Sequence, residues 1–485
     1  MSPTLVLTTI TAYFAVLFLV SYIAGKKSDN QGFFVGNRKS SWFVVAFAMI
    51  GSSISGVTFV SVPGMVGTAN FSYMQMVLGF VVGQFIIAFL LVPLFYRMNL
   101  VSIYGYLQNR FGGASHKTGA WFFFISKMLG AAVRLYIVCL TLQLLVFEAW
   151  GLPFALNVVF TIALVWLYTF RSGVKALIWT DSLKTFCLIT SVVLCIYFIS
   201  SNLQLNLGGL IKAVKESDLS RTFFFDDMND RRYFFKQFLG GVFTMIAMTG
   251  LDQDFMQRNL SCKNAWDSQK NIMTSSLMQL VINLLFLVLG VILYLFTSRN
   301  GIQHPAKSDE LFPMIATGGY FPIIVGVLFI VGLISSAYAA AGSALTALTT
   351  SFTIDILGIE GKNEDEVRKF RKRVHFGMAA VMGLVIFVFN MLNNTTVINA
   401  VYTLAGYTYG PIVGMFAFGM FMKQRVYDRW IPVVAILSPV LCYVLQRFSV
   451  QLFNGYQFSY ELLIINALFT FLGLWMLTKK KTVRS

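Results

Sequence analysis

The chain has 485 residues, of which 57% are hydrophobic and 12% charged, and its mean hydropathy is +0.72. That apolar share exceeds the usual soluble value, and runs long enough to cross a ~30 Å hydrocarbon layer recur along the whole sequence. A soluble enzyme, a nucleic-acid binder and a disordered scaffold are excluded together: the +17 net charge sits in short connections between apolar runs, where Lys and Arg set membrane orientation.

Apolar run length predicts an all-α polytopic membrane protein of thirteen helices, at 4–25, 41–68, 73–97, 119–148, 153–170, 175–200, 233–251, 270–298, 319–356, 374–393, 397–421, 430–447 and 460–478. The first run lacks a basic leader region and a small-residue cleavage site, so it reads as a retained helix. The predicted organisation is an extra first helix and loop (1–40), a first five-helix group (41–200), an outer loop (201–232), a second five-helix group (233–421) and two peripheral helices with a tail (422–485). Most of the 37 basic residues fall in one set of connections, among them Lys26, Lys27, Arg38, Arg110, the Lys362–Arg373 cluster and Lys479 to Lys481. The positive-inside rule then puts the C-terminus in the cytoplasm and the N-terminus outside. The cysteines have no ligand spacing and the three histidines lie far apart, so no metal-bearing cofactor is expected.

Basic residues fall inside predicted spans at Lys127, Arg134 and Lys184, and Asp181 joins them near the start of its span. Sparse intramembrane charge marks a solute or ion path, without the regular Arg ladder of a voltage sensor. The second span carries Gly51-Ser52-Ser53-Ile54-Ser55-Gly56 and then Pro63-Gly64, a poor stretch for continuous helix. The seventh carries Gly240-Gly241 and Thr249-Gly250. Either span alone suits close packing through small residues. As a matched pair opening successive groups, they point to interrupted helices around a midplane binding site.

With these residues in view, the chain resembles the sodium:solute symporters. The motifs are Phe33-Phe34-Val35-Gly36-Asn37-Arg38, Ile178-Trp179-Thr180-Asp181, Asp252-Gln253 with Gln257-Arg258, Ser343 to Asp355, and Tyr407-Thr408-Tyr409-Gly410-Pro411. Each is weak alone; their order over residues 20–425 is specific. The resemblance implies a leucine-transporter core of two inverted five-helix repeats and a sodium bound between the second and ninth spans. Carried over, Gly51, Ile54 and Ser336 would supply carbonyl oxygens to that sodium. Counted back from Asp355, the two hydroxyl ligands of the family fall on Ala339 and Ala340, a departure that removes the side-chain oxygens a hard cation wants; a one-turn shift would bring Ser335-Ser336 into place but lose the match at Ser343 and Asp355.

A second departure is Lys184, where the family carries a neutral polar residue. Asp181 and Lys184 are three residues apart on one helix face. In one reading the ammonium does the sodium's structural work, alone or through protonation shared with Asp181. In the other, Lys184 only pairs with Asp181 or snorkels to the interface. Candidate solute ligands are Ser52, Ser53, Ser55 and Thr58 at the interrupted helix, Gln75 on the third span, and Phe243, Thr244 and Asp252 around the seventh. Arg134 stands where sialic acid transporters of that family carry the arginine that grips the substrate carboxylate, and a guanidinium suits bidentate carboxylate recognition. It could equally pair with an internal acid. Lys127 reads as interfacial.

The expected function is secondary transport of a small polar organic solute by alternating access, with sodium or protons as coupling ion and lipid as the other partner. The alternatives are an uncoupled facilitator and a membrane solute sensor; the chain ends soon after the last span, which gives no room for an attached output domain. No catalytic constellation is visible. A bacterial inner membrane is the expected location.

Overall fold

The computed structural model describes residues 2–25, 41–98, 103–169, 174–357, 364–392 and 396–478. The Phe33–Arg38 motif lies outside them, as do the side chains of Ile178 to Thr180, Ala339 and Asp355. Among the described residues the architecture is helical, with one isolated backbone bridge between Val426 and Thr478.

In chain order the helices are α1 (Pro3–Gly25), α2 (Trp42–Ser53), α3 (Gly56–Ala69), α4 (Tyr73–Arg97), α5 (Gly105–Arg110), α6 (Gly113–Leu142), α7 (Phe154–Thr169), α8 (Val174–Asn202) and α9 (Leu207–Glu216). Next come α10 (Phe234–Met245), α11 (Gln253–Asn259), α12 (Ala265–Asn300), α13 (Leu311–Thr317), α14 (Ile323–Ser351), α15 (Glu364–Leu392), α16 (Val397–Phe421), α17 (Ile431–Leu452) and α18 (Leu462–Met476). Among the described residues nine helices are long and apolar enough to cross a membrane, or ten when α2 and α3 count as one broken span. In hydrocarbon every backbone polar group must find its partner inside the protein, which leaves helices as the solution for such runs.

The break between α2 and α3 falls where the sequence weakens. Ile54 and Ser55 are extended, and the two halves meet at 57°. The chain can part there because Gly56 has room for no side chain: an added Cβ would lie 2.9 Å from the Cβ of Ala337 on α14. Gly51 is equally tight against α8, where an added Cβ would overlap the Thr185 hydroxyl. Two glycines therefore let the interrupted helix press on α8 and α14 at once. Phe59 on α3 then nests among Phe286, Phe312 and Phe329, with ring centroids 5.3 to 5.8 Å apart.

The seventh span meets the expectation at Thr249-Gly250 and departs from it at Gly240-Gly241. Gly240 and Gly241 lie inside continuous α10, and Gly241 seats α10 on α4, where an added Cβ would overlap the Met76 carbonyl oxygen. They serve close approach between helices. The irregularity comes later, where α10 runs into a π-helical stretch (Ile246–Gly250) and ends before Asp252.

Candidate functional site

Three elements meet at the break. Asp181, 2% exposed, reaches it from α8, with Lys184 3.2 Å away one turn along and only 1% exposed. The Ser52 hydroxyl at the end of α2 lies 3.3 Å from Asp181. Ser336, on α14, turns its own hydroxyl to the Leu333 carbonyl at 2.9 Å and lies beside Gly56. The structure thus sets Asp181 against Gly51 and Ser336 against Gly56, on either side of Ile54, with Lys184 one turn along α8 from Asp181. Ala340 is half-buried on α14.

A fourth element enters from the chain after α10. Asp252 caps α11 by accepting the backbone N–H groups of Asp254 and Phe255 at 3.0 and 3.3 Å. One turn on, Arg258 donates to Asp181 at 3.0 Å, to the hydroxyls of Ser52 and Ser343, and lies 3.4 Å from Asp254. Ser343 in turn donates to Asp254 at 2.7 Å. Burial pushes the Asp254 carboxyl up, but Arg258 and Lys127 overrule it and hold it below the usual carboxylate range.

Lys127 is not interfacial. It is 6% exposed and bonded to both oxygens of Asp252 at 3.0 Å and to Asp254 at 3.3 Å. The seven-residue spacing from Arg134 put both cations on one face of α6, and the tertiary fold turned that face inward. Lys184, Asp181, Arg258, Asp254, Lys127 and Asp252 form one chain of alternating charge, balanced at three cations and three anions. Isolated buried charges are costly, and pairing in this fashion is how they are retained. Tyr409 of α16 closes the series by donating to Asp252 at 3.0 Å.

Arg134 stands apart from this chain. It is half-buried and makes no hydrogen bond or ion pair with the described residues. Its neighbours line a constricted pocket with Lys127, Asp252 and Tyr409 at one end and Met248, Phe255 and Leu404 on the walls. The free space there is about 10 Å³, the size of a single water. Leu404 also lines a second cavity of about 1160 Å³, bordered by Thr68, Ser72, Asp227, Arg231 and Asn399. The small pocket that holds Arg134 and the wide cavity thus share Leu404.

The remaining predicted residues are dispersed. Ser55, extended just before α3, and Thr58 on its first turn are buried, and Ser53 is half-buried at the end of α2. Thr244 is buried and Phe243 half-buried on α10. Gln75 is fully engaged elsewhere: its amide donates to the Arg232 carbonyl at 2.8 Å and its oxygen accepts from the Phe224 amide at 3.2 Å. It ties the 217–233 segment to the start of α4. Asp252 is saturated by Lys127, Tyr409 and two backbone amides. Sequence reasoning gave no role to Arg258, Asp254 or Ser343, although the acid-acid-arginine spacing of 252, 254 and 258 carried a signal: the last two are one helical turn apart.

Similarity to known proteins agrees with this geometry. The family model described as "Sodium:solute symporter family" matches residues 33–429. The sodium/sialic acid symporter NanT of Aliivibrio fischeri is 25% identical over 460 residues, covering 89% of this chain and 86% of that protein. The sodium-coupled monocarboxylate transporter 2 of Danio rerio is 27% identical over 434 residues, covering 84% and 67% respectively. A solved Na+-coupled sialic acid symporter in a substrate-bound outward-open state superposes with a TM-score of 0.82 over 98% of both chains at 19% identity. That likeness gives the fold, a transporter fold of the leucine-transporter type. The chain belongs to the sodium:solute symporter family, and it is a multi-pass membrane transporter and not an enzyme.

Proposed function

We propose that this chain imports a small polar organic solute bearing a carboxylate, by alternating access, across a bacterial inner membrane. One observation carries the reading: Arg134 is a half-buried guanidinium without a hydrogen-bond or ion-pair partner among the described residues, in a small pocket that shares Leu404 with a wide cavity. A buried cation held open in this way calls for an anion, and a guanidinium fits a carboxylate bidentately. The relatives named for sialic acid and for monocarboxylates support the same ligand class. Ser55 and Thr58 on the outer half of the broken helix are the hydroxyls to complete the site. That small pocket admits only a water in this conformation, so solute binding requires Leu404 between it and the wide cavity to yield.

The architecture of the proposal is thirteen helices in two inverted repeats, 41–200 and 233–421, with the N-terminus outside and the C-terminus in the cytoplasm. The extra first helix (1–40), the outer loop (201–232) and the peripheral helices (422–485) flank that core. In this reading the family's main sodium site is altered. Gly51, Ile54 and Ser336 keep their carbonyls, but Ala339 and Ala340 bring no hydroxyl, and the ammonium of Lys184 lies buried beside Asp181 where a cation would otherwise be needed. Lys184 then takes over the sodium's structural role, and coupling passes to protons or is lost.

The test is a thermal-shift and uptake experiment on the purified protein. Carboxylate solutes, sialic acid and lactate among them, should stabilise it saturably while their amides do not, since a ligand of the folded state alone raises stability by RT ln(1 + [L]/Kd). Arg134→Gln should abolish that shift. Saturable stabilisation by NaCl against choline chloride, unchanged in Lys184→Gln, would remove the altered-site reading and leave an ordinary sodium symporter. Stabilisation by neutral solutes that persists in Arg134→Gln would remove the carboxylate.

A further inference from the structure

Asp309 lies in the connection between α12 and α13, outside the site described above, and is 4% exposed. One carboxylate oxygen, Oδ2, accepts the backbone N–H of Val397 at the start of α16 at 2.9 Å. The other, Oδ1, is buried and has no hydrogen-bond partner among the described residues. It makes no ion pair with them either. Ser61 of α3 faces it, fully buried, and its hydroxyl is likewise without a hydrogen bond. The buried hydroxyl of Thr396, next to Val397, is also unpartnered.

An ionised carboxylate at this position is compensated by one amide, the helix N-terminus behind it and one hydroxyl, with no cation at pairing distance. The neutral acid fits the same surroundings without an uncompensated charge: Oδ2 keeps the Val397 amide, and Oδ1 gains a hydrogen to give to Ser61. The charged and titratable groups facing Asp309 are Lys307 and Glu310 on its own connection and Tyr136 from α6. Neither α3 nor the first turn of α16 contributes one. Burial pushes the carboxyl up, and the Val397 amide, Ser61 and Lys307 offset this only in part.

The position makes a proton there consequential. The connection clings to α3: a Cβ on Gly64 would overlap the Ser308 carbonyl oxygen. Asp309 therefore joins the outer half of the broken helix to the N-terminus of α16, the helix that carries Tyr409 and Leu404. We propose that Asp309 is a proton-binding site of this transporter, and that its protonation sets how tightly α3 is held to α16. The effect on transport rests on the proposed alternating access; the proton site itself does not.

The direct test is infrared titration of the purified full-length protein between about pH 4 and 8, tracking the C=O stretch of a protonated carboxyl. The expected result is a band that persists to higher pH than an ordinary aspartate allows, proton binding there being tighter. It should be missing in Asp309→Asn and retained in Glu310→Gln. Ser61→Ala should tighten proton binding further, because the facing hydroxyl stabilises the ionised carboxylate more than it stabilises the neutral acid. That variant keeps the test open if Asp309→Asn does not fold. A band titrating at the ordinary carboxylate pH, or one removed by NaCl at constant pH, overturns the proposal; the second result would make the site a seat for sodium. In proteoliposomes, a persistent band with no solute uptake would refute the transport reading and leave the proton site standing.

Discussion

Lys127→Met should destabilise the protein far more than Lys184→Gln, although both remove a buried ammonium from the same charge chain. The difference lies in how the cations are shared. Asp181 is bonded to Lys184 at 3.2 Å and to Arg258 at 3.0 Å, so it keeps a cation when Lys184 is removed. Asp252 draws its cation from Lys127, at 3.0 Å to both oxygens, and its other partners, Tyr409 and two backbone amides, are neutral. Removing one member of a buried pair costs about 3–5 kcal/mol, because the other charge stays behind uncompensated. Losing one of two charged partners costs about 1–2 kcal/mol. The expected gap is about 2–3 kcal/mol by the same reasoning. It can be read by reversible unfolding in mixed detergent and SDS micelles, monitored by tryptophan fluorescence. Adding Asp252→Asn to Lys127→Met should recover about 2 kcal/mol or more of the loss, since neighbours in one network are not additive. Equal losses for the two lysine variants, or an additive double variant, would refute the account of Asp252 as singly compensated.

Arg134→Gln should leave the unfolding midpoint within about 0.5 kcal/mol of the parent, because the guanidinium bonds to no described residue, while it removes carboxylate binding in calorimetry. Gly241→Ala should destabilise by about 1–3 kcal/mol through overpacking, as the new methyl runs into the Met76 carbonyl oxygen; Gly377→Ala, on α15 with open space around it, should be neutral or slightly favourable in the same assay. At Asp230, burial pushes the carboxyl up, but the hydrogen bonds and charge of Arg232 hold it below its ordinary value. A depressed carboxylate contributes stability above its unfolded pKa and loses it as pH falls through the folded one. Hydrogen exchange across residues 217–233 should therefore rise below about pH 4, and Asp230→Asn should abolish that step.

The break in the second span was legible from Gly51 to Gly56, because two glycines and three serines within six residues make a poor stretch of continuous helix. The seventh span was legible only in part: Thr249-Gly250 lies in the π-helical stretch that ends it, whereas Gly240-Gly241 has the same composition but serves contact with α4. Composition reports that a residue is small; only the neighbouring helix decides whether the gap is filled by a backbone or left as a hinge. Gln75 shows the same limit: a lone polar side chain in a span reads as a ligand until the 217–233 segment is seen to occupy both ends of its amide.

By itself the sequence determined the features that rest on chain-local physics. Run length against bilayer thickness gave an all-helical membrane protein, and the i, i+3 spacing of Asp181 and Lys184 gave their pairing. Motif order gave the family. Tertiary structure decided which buried charges compensate which. Lys127, Asp252, Asp254 and Arg258 are separated by more than a hundred residues from one end to the other, and a Coulomb interaction depends on distance in space. Helix packing brought α6, α8 and α11 together, spent Lys127 on two aspartates and left Arg134, two turns away on the same helix, with no such partner.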